Sequence, residues 1–134
     1  MRYQLIITFI TLLTACASAD VKPESEKLSG NIEQQQLLNM QSSNEDFLLL
    51  DVRSKEEFEQ GHIVGAQNIS HDELSSKLES ITHFKDKNIV VYCRSGRRAG
   101  MAIDVLKEND FKHLSHLSGD MQEWQKANLA ISQH

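Results

Sequence analysis

The sequence contains few of the features that mark large, membrane-spanning or nucleic-acid-binding proteins. It has 134 residues, only two cysteines, a single proline and no excess of basic residues, with a formal net charge of -5. A chain of this length has room for one small domain and not for a multi-domain machine. Binding to a phosphate backbone needs a basic surface that releases counterions, so the acidic balance argues against nucleic acid as a partner.

The first residues have the pattern of an export signal. Arg2 gives a positive start, and residues 5–13 are apolar except for two threonines. This run is shorter than the about 20 apolar residues of a transmembrane helix and fits the core of a signal peptide. The run closes on Leu-Thr-Ala-Cys at residues 13–16, which is similar to a bacterial lipobox. We therefore expect a lipoprotein signal peptide over residues 1–15, with lipid attached to Cys16.

Lipidation would place the chain in a bacterial cell envelope, facing the periplasm and anchored to a membrane by lipid. Ala17 after the modified cysteine resembles the signal for transfer to the outer membrane, which we favour over the inner membrane. The alternative is ordinary signal cleavage near Ala19, with an incidental cysteine at position 16. Residues 16–30 are polar and show no apolar period, so we expect a flexible tether, followed by a globular domain over residues 31–134.

The second cysteine would then have no partner within the chain. Exported proteins meet an oxidising compartment that drives thiols into disulfides, yet Cys93 would stay single if Cys16 carries lipid. Such a thiol is either inert in the core or retained for chemistry. The residues around it must decide between the two.

Strand-like and helix-like patterns alternate beyond residue 30. Short apolar runs predict buried strands at residues 47–52, 88–92 and 114–117, with a turn and a brief extended piece over 63–69. Amphipathic patterns predict helices from residue 31 to about 40 and over 71–81, 98–109 and 120–127. This alternation predicts an α/β fold, a central mainly parallel sheet with helices on both faces.

Two local patterns refine this prediction. Ser54 and Glu57 form a capping box that opens a short helix, which Gly61 ends. In the helix over residues 98–109, we expect the apolar side chains to face inward; they are Met101, Ala102, Val105 and Leu106.

The segment after the clearest strand carries the candidate chemistry. Residues 93–100 read Cys-Arg-Ser-Gly-Arg-Arg-Ala-Gly and lie between a predicted strand and a predicted helix. In parallel sheets, ligands bind beyond the carboxyl ends of the strands. A short loop at such a junction turns its backbone N–H groups toward one point, at the positive end of the helix dipole. We predict an anion cradle in which Cys93 is stabilised as a thiolate, without a histidine base.

Four motifs, and their order along the chain, resemble those of the rhodanese family. They are Leu-Asp-Val-Arg at residues 50–53, Gly-His-Ile-Val-Gly-Ala-Gln-Asn-Ile at 61–69, Cys-Arg-Ser-Gly-Arg-Arg-Ala at 93–99, and Leu-Ser-Gly-Asp to Trp at 117–124. The resemblance spans roughly residues 31–127. Two positions depart from it. Val64 stands where the family usually has proline, and Asp120 stands where a second glycine is common, which could make Asp120 a helix N-cap and change how tightly that turn approaches the loop.

The resemblance implies a rhodanese-type sulfurtransferase in a three-layer domain. Its Cys93 would take the outer sulfur of thiosulfate or a similar anion and pass it, as a persulfide, to a thiol or a cyanide-like acceptor. The residues expected to bind the substrate or persulfide are Arg94, Ser95, Gly96, Arg97 and Arg98, with the last two assigned to the donor. Asp51 and Arg53 are expected to form a supporting ion pair. We expect no cofactor and no metal, since the six histidines show no ligand spacing.

Two other functions stay open. Cysteine phosphatases and arsenate reductases place an arginine after five intervening residues, where this chain has Ala99 and where Arg98 comes one residue early. The shorter loop favours a sulfur atom over a phosphoryl group. A membrane-anchored persulfide relay or binding module would need the same loop as an enzyme, and only turnover of small donors separates the two.

Overall fold

The structure is a computed structural model that describes residues 24–133, in which seven strands and five α-helices occur. The strands are β1 (Gly30–Ile32), β2 (Leu48–Asp51), β3 (His62–Ile63), β4 (Gln67–Asn68), β5 (Asn88–Tyr92), β6 (His113–Leu117) and β7 (Ile131–Ser132). The helices are α1 (Gln34–Ser42), α2 (Lys55–Gln60), α3 (Leu74–Lys77), α4 (Arg97–Glu108) and α5 (Asp120–Lys126), with a 3₁₀ helix over Leu78–Phe84.

Five of the strands form one parallel sheet, and this confirms the predicted α/β fold. Their order is β1-β6-β5-β2-β4, while β3 and β7 form a separate antiparallel pair. Every residue of the central strands β2 and β5 is buried, as expected for a sheet covered on both faces. All five carboxyl ends meet at one edge, because the strands are parallel.

Two hydrophobic clusters cover the two faces of the sheet. Since side chains alternate along a strand, Leu50 and Val91 pack on one face, while Leu49 and Val90 pack on the other. The first face is covered chiefly by α3, the 3₁₀ helix and α4, and the second by α1 and α5, which contributes Trp124.

The N-terminal part of the domain differs from the prediction. Residues 30–32 form strand β1 beside β6, and α1 begins only at Gln34. The predicted helix start at residue 31 is wrong because a strand of three residues is too short to show alternation. Leu28 is also buried, and its N–H donates to Asn88 Oδ1 at 2.9 Å, so the packed chain includes part of the predicted tether. The predicted signal peptide and Cys16 lie outside the described residues.

Helices α2, α3 and α4 agree with the sequence prediction to different degrees. The capping box of α2 is confirmed: Glu57 N–H donates to Ser54 Oγ at 3.2 Å, and Ser54 N–H donates to Glu57 Oε2 at 3.0 Å. The helix expected over residues 71–81 is one turn of α-helix continued by the 3₁₀ helix. Met101 was expected to face inward and is instead 50% exposed, whereas Ala102 and Leu106 are buried.

Within residues 24–133, no helix is long and apolar enough to cross a bilayer.

Candidate active site

Cys93 directly follows the central strand β5, at the carboxyl edge of the sheet. The next three residues form a tight loop, and Gly96, the N-cap of α4, has a φ of 110° that favours glycine. This conformation directs the Gly96 N–H to Cys93 Sγ, which it reaches at 3.0 Å. The loop thus places a backbone donor on the sulfur at the N-terminus of a twelve-residue helix, where the dipole favours negative charge.

The first turn of α5 holds this loop from the other side. Met121 N–H donates to Cys93 O at 3.0 Å, and Gln122 N–H donates to Arg94 O at 3.2 Å. The first N–H groups of a helix have no partner within it, and here the loop carbonyls supply the partners. Cys93 is 1% exposed and its backbone is fixed at both ends of the residue.

Asp120 provides the second fixing point and does not serve as the expected N-cap. Gly119 holds the N-cap position of α5, and Asp120 follows it with a left-handed φ of 51°. The Asp120 carboxylate is buried, and its Oδ1 accepts the Cys93 N–H at 2.9 Å. The turn therefore approaches the loop through a direct hydrogen bond.

His116 pairs with this carboxylate and was missed by the sequence reasoning. Its Nε2 lies 2.9 Å from both Asp120 oxygens, and the hydrogen bond to Asp120 raises the pKa of His116. His116 lies one residue before the end of β6, a neighbour of β5. That place near the carboxyl edge of the sheet was the available signal, because residues there lie close to the ligand site in parallel sheets.

The three arginines of the loop segment differ in their surroundings. Arg98 is held by α2: its guanidinium donates to both Glu57 carboxylate oxygens, at 2.6 and 3.0 Å. This fork of hydrogen bonds lowers the pKa of Glu57 to about 2. Arg94 and Arg97 are exposed and form no ion pair with another residue in the described part of the chain. The hydrogen-bonding fork of Arg98 is thus engaged by Glu57, and the assignment of Arg98 to the sulfur donor stays a prediction.

The expected ion pair between Asp51 and Arg53 is present at the end of β2. Arg53 Nη2 lies 2.7 Å from Asp51 Oδ2, and the same nitrogen donates to Gly61 O at 2.8 Å. Asp51 is fully buried, and a buried carboxylate needs a compensating charge and hydrogen bonds. The Arg53 guanidinium supplies the charge, and the Arg53 backbone N–H donates a further hydrogen bond. Asn68 Nδ2 donates to the carbonyls of both residues. The pair stabilises the strand end next to β5, where Asp51 is fully buried and Arg53 is 5% exposed.

A cleft of about 300 Å³ lies between α2, the loop and α5. The residues that line it are Arg53, Glu57, Gln60, Gly61, Arg94, Met121 and Gln125. Its walls are mostly polar, with positive charge from Arg53 and Arg94 and negative charge from Glu57. Among residues 24–133, no group of three or more His, Cys, Asp or Glu side chains is arranged to hold a metal ion.

The comparisons with known proteins agree with this geometry. The sequence matches the rhodanese-like domain family over residues 33–127. A tRNA uridine(34) hydroxylase from Wigglesworthia glossinidia brevipalpis is 32% identical over 111 residues, which cover 80% of this chain and 34% of that protein. The chain thus spans about a third of the length of this relative.

Solved structures share the fold. A rhodanese-related protein from Thermoplasma volcanium aligns with a TM-score of 0.68 and 24% identity, over 79% of this chain and 100% of that chain. Thiosulfate sulfurtransferase from Pseudomonas aeruginosa aligns with a TM-score of 0.72 and 21% identity, over 78% of this chain and 20% of that chain. At these identities the likeness shows a common architecture.

Proposed function

The chain belongs to the family of rhodanese-like domains, and from this premise we propose that it is a sulfurtransferase that carries sulfur as a persulfide on Cys93. One observation supports the proposal above the others. Cys93 Sγ accepts the Gly96 N–H at 3.0 Å, at the N-terminus of α4. A backbone donor and a helix dipole at the same sulfur favour its anionic forms, both as thiolate and as persulfide.

The reaction balances in two steps. The Cys93 thiolate attacks the outer sulfur of thiosulfate, the sulfur–sulfur bond of the donor breaks, and sulfite leaves with the electron pair. Cys93 then holds the sulfur as an anionic persulfide. An acceptor such as cyanide attacks the outer sulfur of the persulfide, leaves as thiocyanate and returns the thiolate.

Arg94 and Arg97 are the side chains we assign to the sulfonate end of the donor. Both are exposed at the loop, and a guanidinium matches sulfonate oxygens in a bidentate fork. Arg98 supports the site indirectly, because its ion pair with Glu57 joins the start of α4 to α2. Ser95 and Gly96 contribute backbone to the cradle.

The loop gives less support to a phosphatase. The position at which such enzymes place their arginine is Ala99, which is fully buried in the core cluster beneath α4. The guanidinium one residue earlier is paired with Glu57. A phosphoryl group would therefore lack the arginine that this chemistry requires.

A turnover assay tests the proposal. The purified full chain is incubated with thiosulfate and cyanide, and thiocyanate is measured; Cys93→Ser is expected to remove the activity, because a serine hydroxyl forms no persulfide. Cys16→Ser is the matched control, since it replaces the other cysteine and should leave turnover unchanged. A wild-type chain that becomes persulfidated but forms thiocyanate only in a single turnover would indicate a relay module that serves a protein acceptor.

A further inference from the structure

We propose that His116 and Asp120 form a charge-balanced pair that positions Cys93 and sets how readily the loop accepts an anion. The inference rests on the proposed function, in which both the Cys93 sulfur and the sulfur donor carry negative charge. Neither side chain is needed for the chemistry of the two sulfur-transfer steps. We therefore assign them as positioning residues.

Contacts place the pair directly against the loop. Asp120 is 2% exposed, and its carboxylate is shared between the Cys93 N–H and His116 Nε2. A Cβ built on Gly96 would lie 3.1 Å from Asp120 Oδ2 and 3.3 Å from His116 Cε1. The pair thus lies against the same glycine whose N–H donates to the sulfur.

A carboxylate at this position works against an anion site. It uses the Cys93 N–H, which is then not available to a bound anion, and it adds a buried negative charge near a sulfur that must become anionic. Rhodaneses commonly have glycine at the position of Asp120. A glycine would neither use the Cys93 N–H nor add a negative charge. A compensating positive charge is therefore needed, and His116 is placed to supply it.

His116 supplies that charge only while it is protonated. Asp120 is the charged group that faces it, since the residues paired with His116 on the flanking strands, Val91 and Asn31, are uncharged. The hydrogen bond to Asp120 raises the pKa of His116, so the pair stays without net charge to a higher pH than it would without that bond. Once His116 loses its proton, one uncompensated negative charge remains beside the loop.

Two reagents of nearly equal size measure this charge without any sulfur donor. Iodoacetate is anionic and iodoacetamide is neutral, and both alkylate the Cys93 thiolate. Both rates are proportional to the fraction of thiolate, so this fraction cancels in their ratio at any one pH. The ratio therefore reports the electrostatic potential at Cys93. Mass spectrometry of the peptide that contains Cys93, from the full chain, keeps Cys16 out of the measurement.

In the wild-type chain, the iodoacetate-to-iodoacetamide ratio should fall by about threefold to tenfold as His116 deprotonates. This is the effect of one unit charge several ångström away at a dielectric between that of a protein surface and water. His116→Gln should give a ratio without a step, near the wild-type value at high pH. Asp120→Asn keeps an acceptor for the Cys93 N–H but removes the negative charge. The pH at which the alkylation ratio falls should therefore move lower in this variant. Above that pH, its ratio of iodoacetate to iodoacetamide rates should exceed that of the wild type.

His113→Gln, on the same strand but at its other end, is the matched control and should keep the wild-type step. A flat ratio in the wild-type chain, a step that survives His116→Gln, or an unchanged midpoint in Asp120→Asn would each overturn the inference. Because no sulfur donor is present, these outcomes are independent of whether Cys93 forms a persulfide. If His116→Gln fails to fold, the midpoint shift in Asp120→Asn still decides.

Discussion

At the scale of single residues, the loop arginines have separate tasks although they are close in sequence. Arg97 is exposed at the first position of α4, while Arg98 forms a two-bond ion pair with Glu57. The sequence predicted a positive loop correctly but not this division, because the pairing depends on how α2 packs beside α4. The same holds for His116 and Asp120, whose contact forms only when β6 and α5 meet the loop.

Arg97→Ala should raise the Michaelis constant for thiosulfate, because a charge-assisted contact to the donor is lost. The resulting fall in kcat/KM corresponds to ~1–3 kcal/mol. Steady-state kinetics with varied thiosulfate measures this. Arg98→Ala is the comparison variant, and its main expected effect is a loss of about 1 kcal/mol in unfolding free energy. A larger change in the Michaelis constant for Arg98→Ala than for Arg97→Ala would contradict the assignment.

Glu57 should make the protein sensitive to acid. Its pKa is lowered from 4.5 to about 2 in the folded chain, chiefly by the hydrogen bonds from Arg98. A depressed folded pKa gives stability that is present above pH 4.5 and is lost as the pH falls toward 2. Denaturant titrations over this range should show a loss of about 1–2 kcal/mol that Glu57→Gln lacks, with allowance for solvent screening. Equal pH dependence in both proteins would exclude this role.

At the scale of secondary-structure elements, the strongest sequence patterns were the most reliable. The β5 strand with its Ile-Val-Val run and the α2 capping box both occur where predicted. The elements missed were β1 and β7, of three and two residues, which form through pairing with a distant strand and carry no periodic pattern of their own. Met101 was misplaced because it lies at the edge of the apolar stripe of α4.

The turn before α5 should tolerate no side chain at Gly119. A Cβ there would lie 2.5 Å from Glu123 Cβ, and the φ of 79° is unfavourable for other residues. We expect Gly119→Ala to lower the unfolding free energy by about 1–3 kcal/mol.

Gly100→Ala is the matched control for this variant. It lies within α4, where an added Cβ meets nothing within 4 Å, so it should raise stability by roughly 0.5–1 kcal/mol. Thermal and denaturant unfolding of the two variants measure both effects. A neutral Gly119→Ala would show that the turn can relax.

At the scale of the whole molecule, the parallel sheet explains why the site residues are gathered at one edge. The carboxyl ends of β5, β2 and β6 bring Cys93, the Asp51–Arg53 pair and His116 to the same side. The chain is acidic overall, with a net charge of -5, so the exposed arginines of the loop provide a local attraction for an anion. We expect residues 1–23, which lie outside the described residues, to direct the protein to its location.

The lipobox-like segment predicts a membrane anchor. Expressed in a bacterium, the full chain should incorporate labelled fatty acid and fractionate with membranes, because Cys16 would carry lipid. Cys16→Ser should abolish both, and Cys93→Ser should change neither. Wild-type protein without label and outside the membrane fraction would contradict the anchor.

Mass spectrometry of the thiosulfate-treated protein shows whether Cys93 carries sulfur. The peptide that contains Cys93 should gain one sulfur atom, which cyanide removes and which is absent from Cys93→Ser. A wild-type peptide that stays unmodified over a range of thiosulfate concentrations, in a folded chain whose Cys93 still reacts with iodoacetamide, would contradict it.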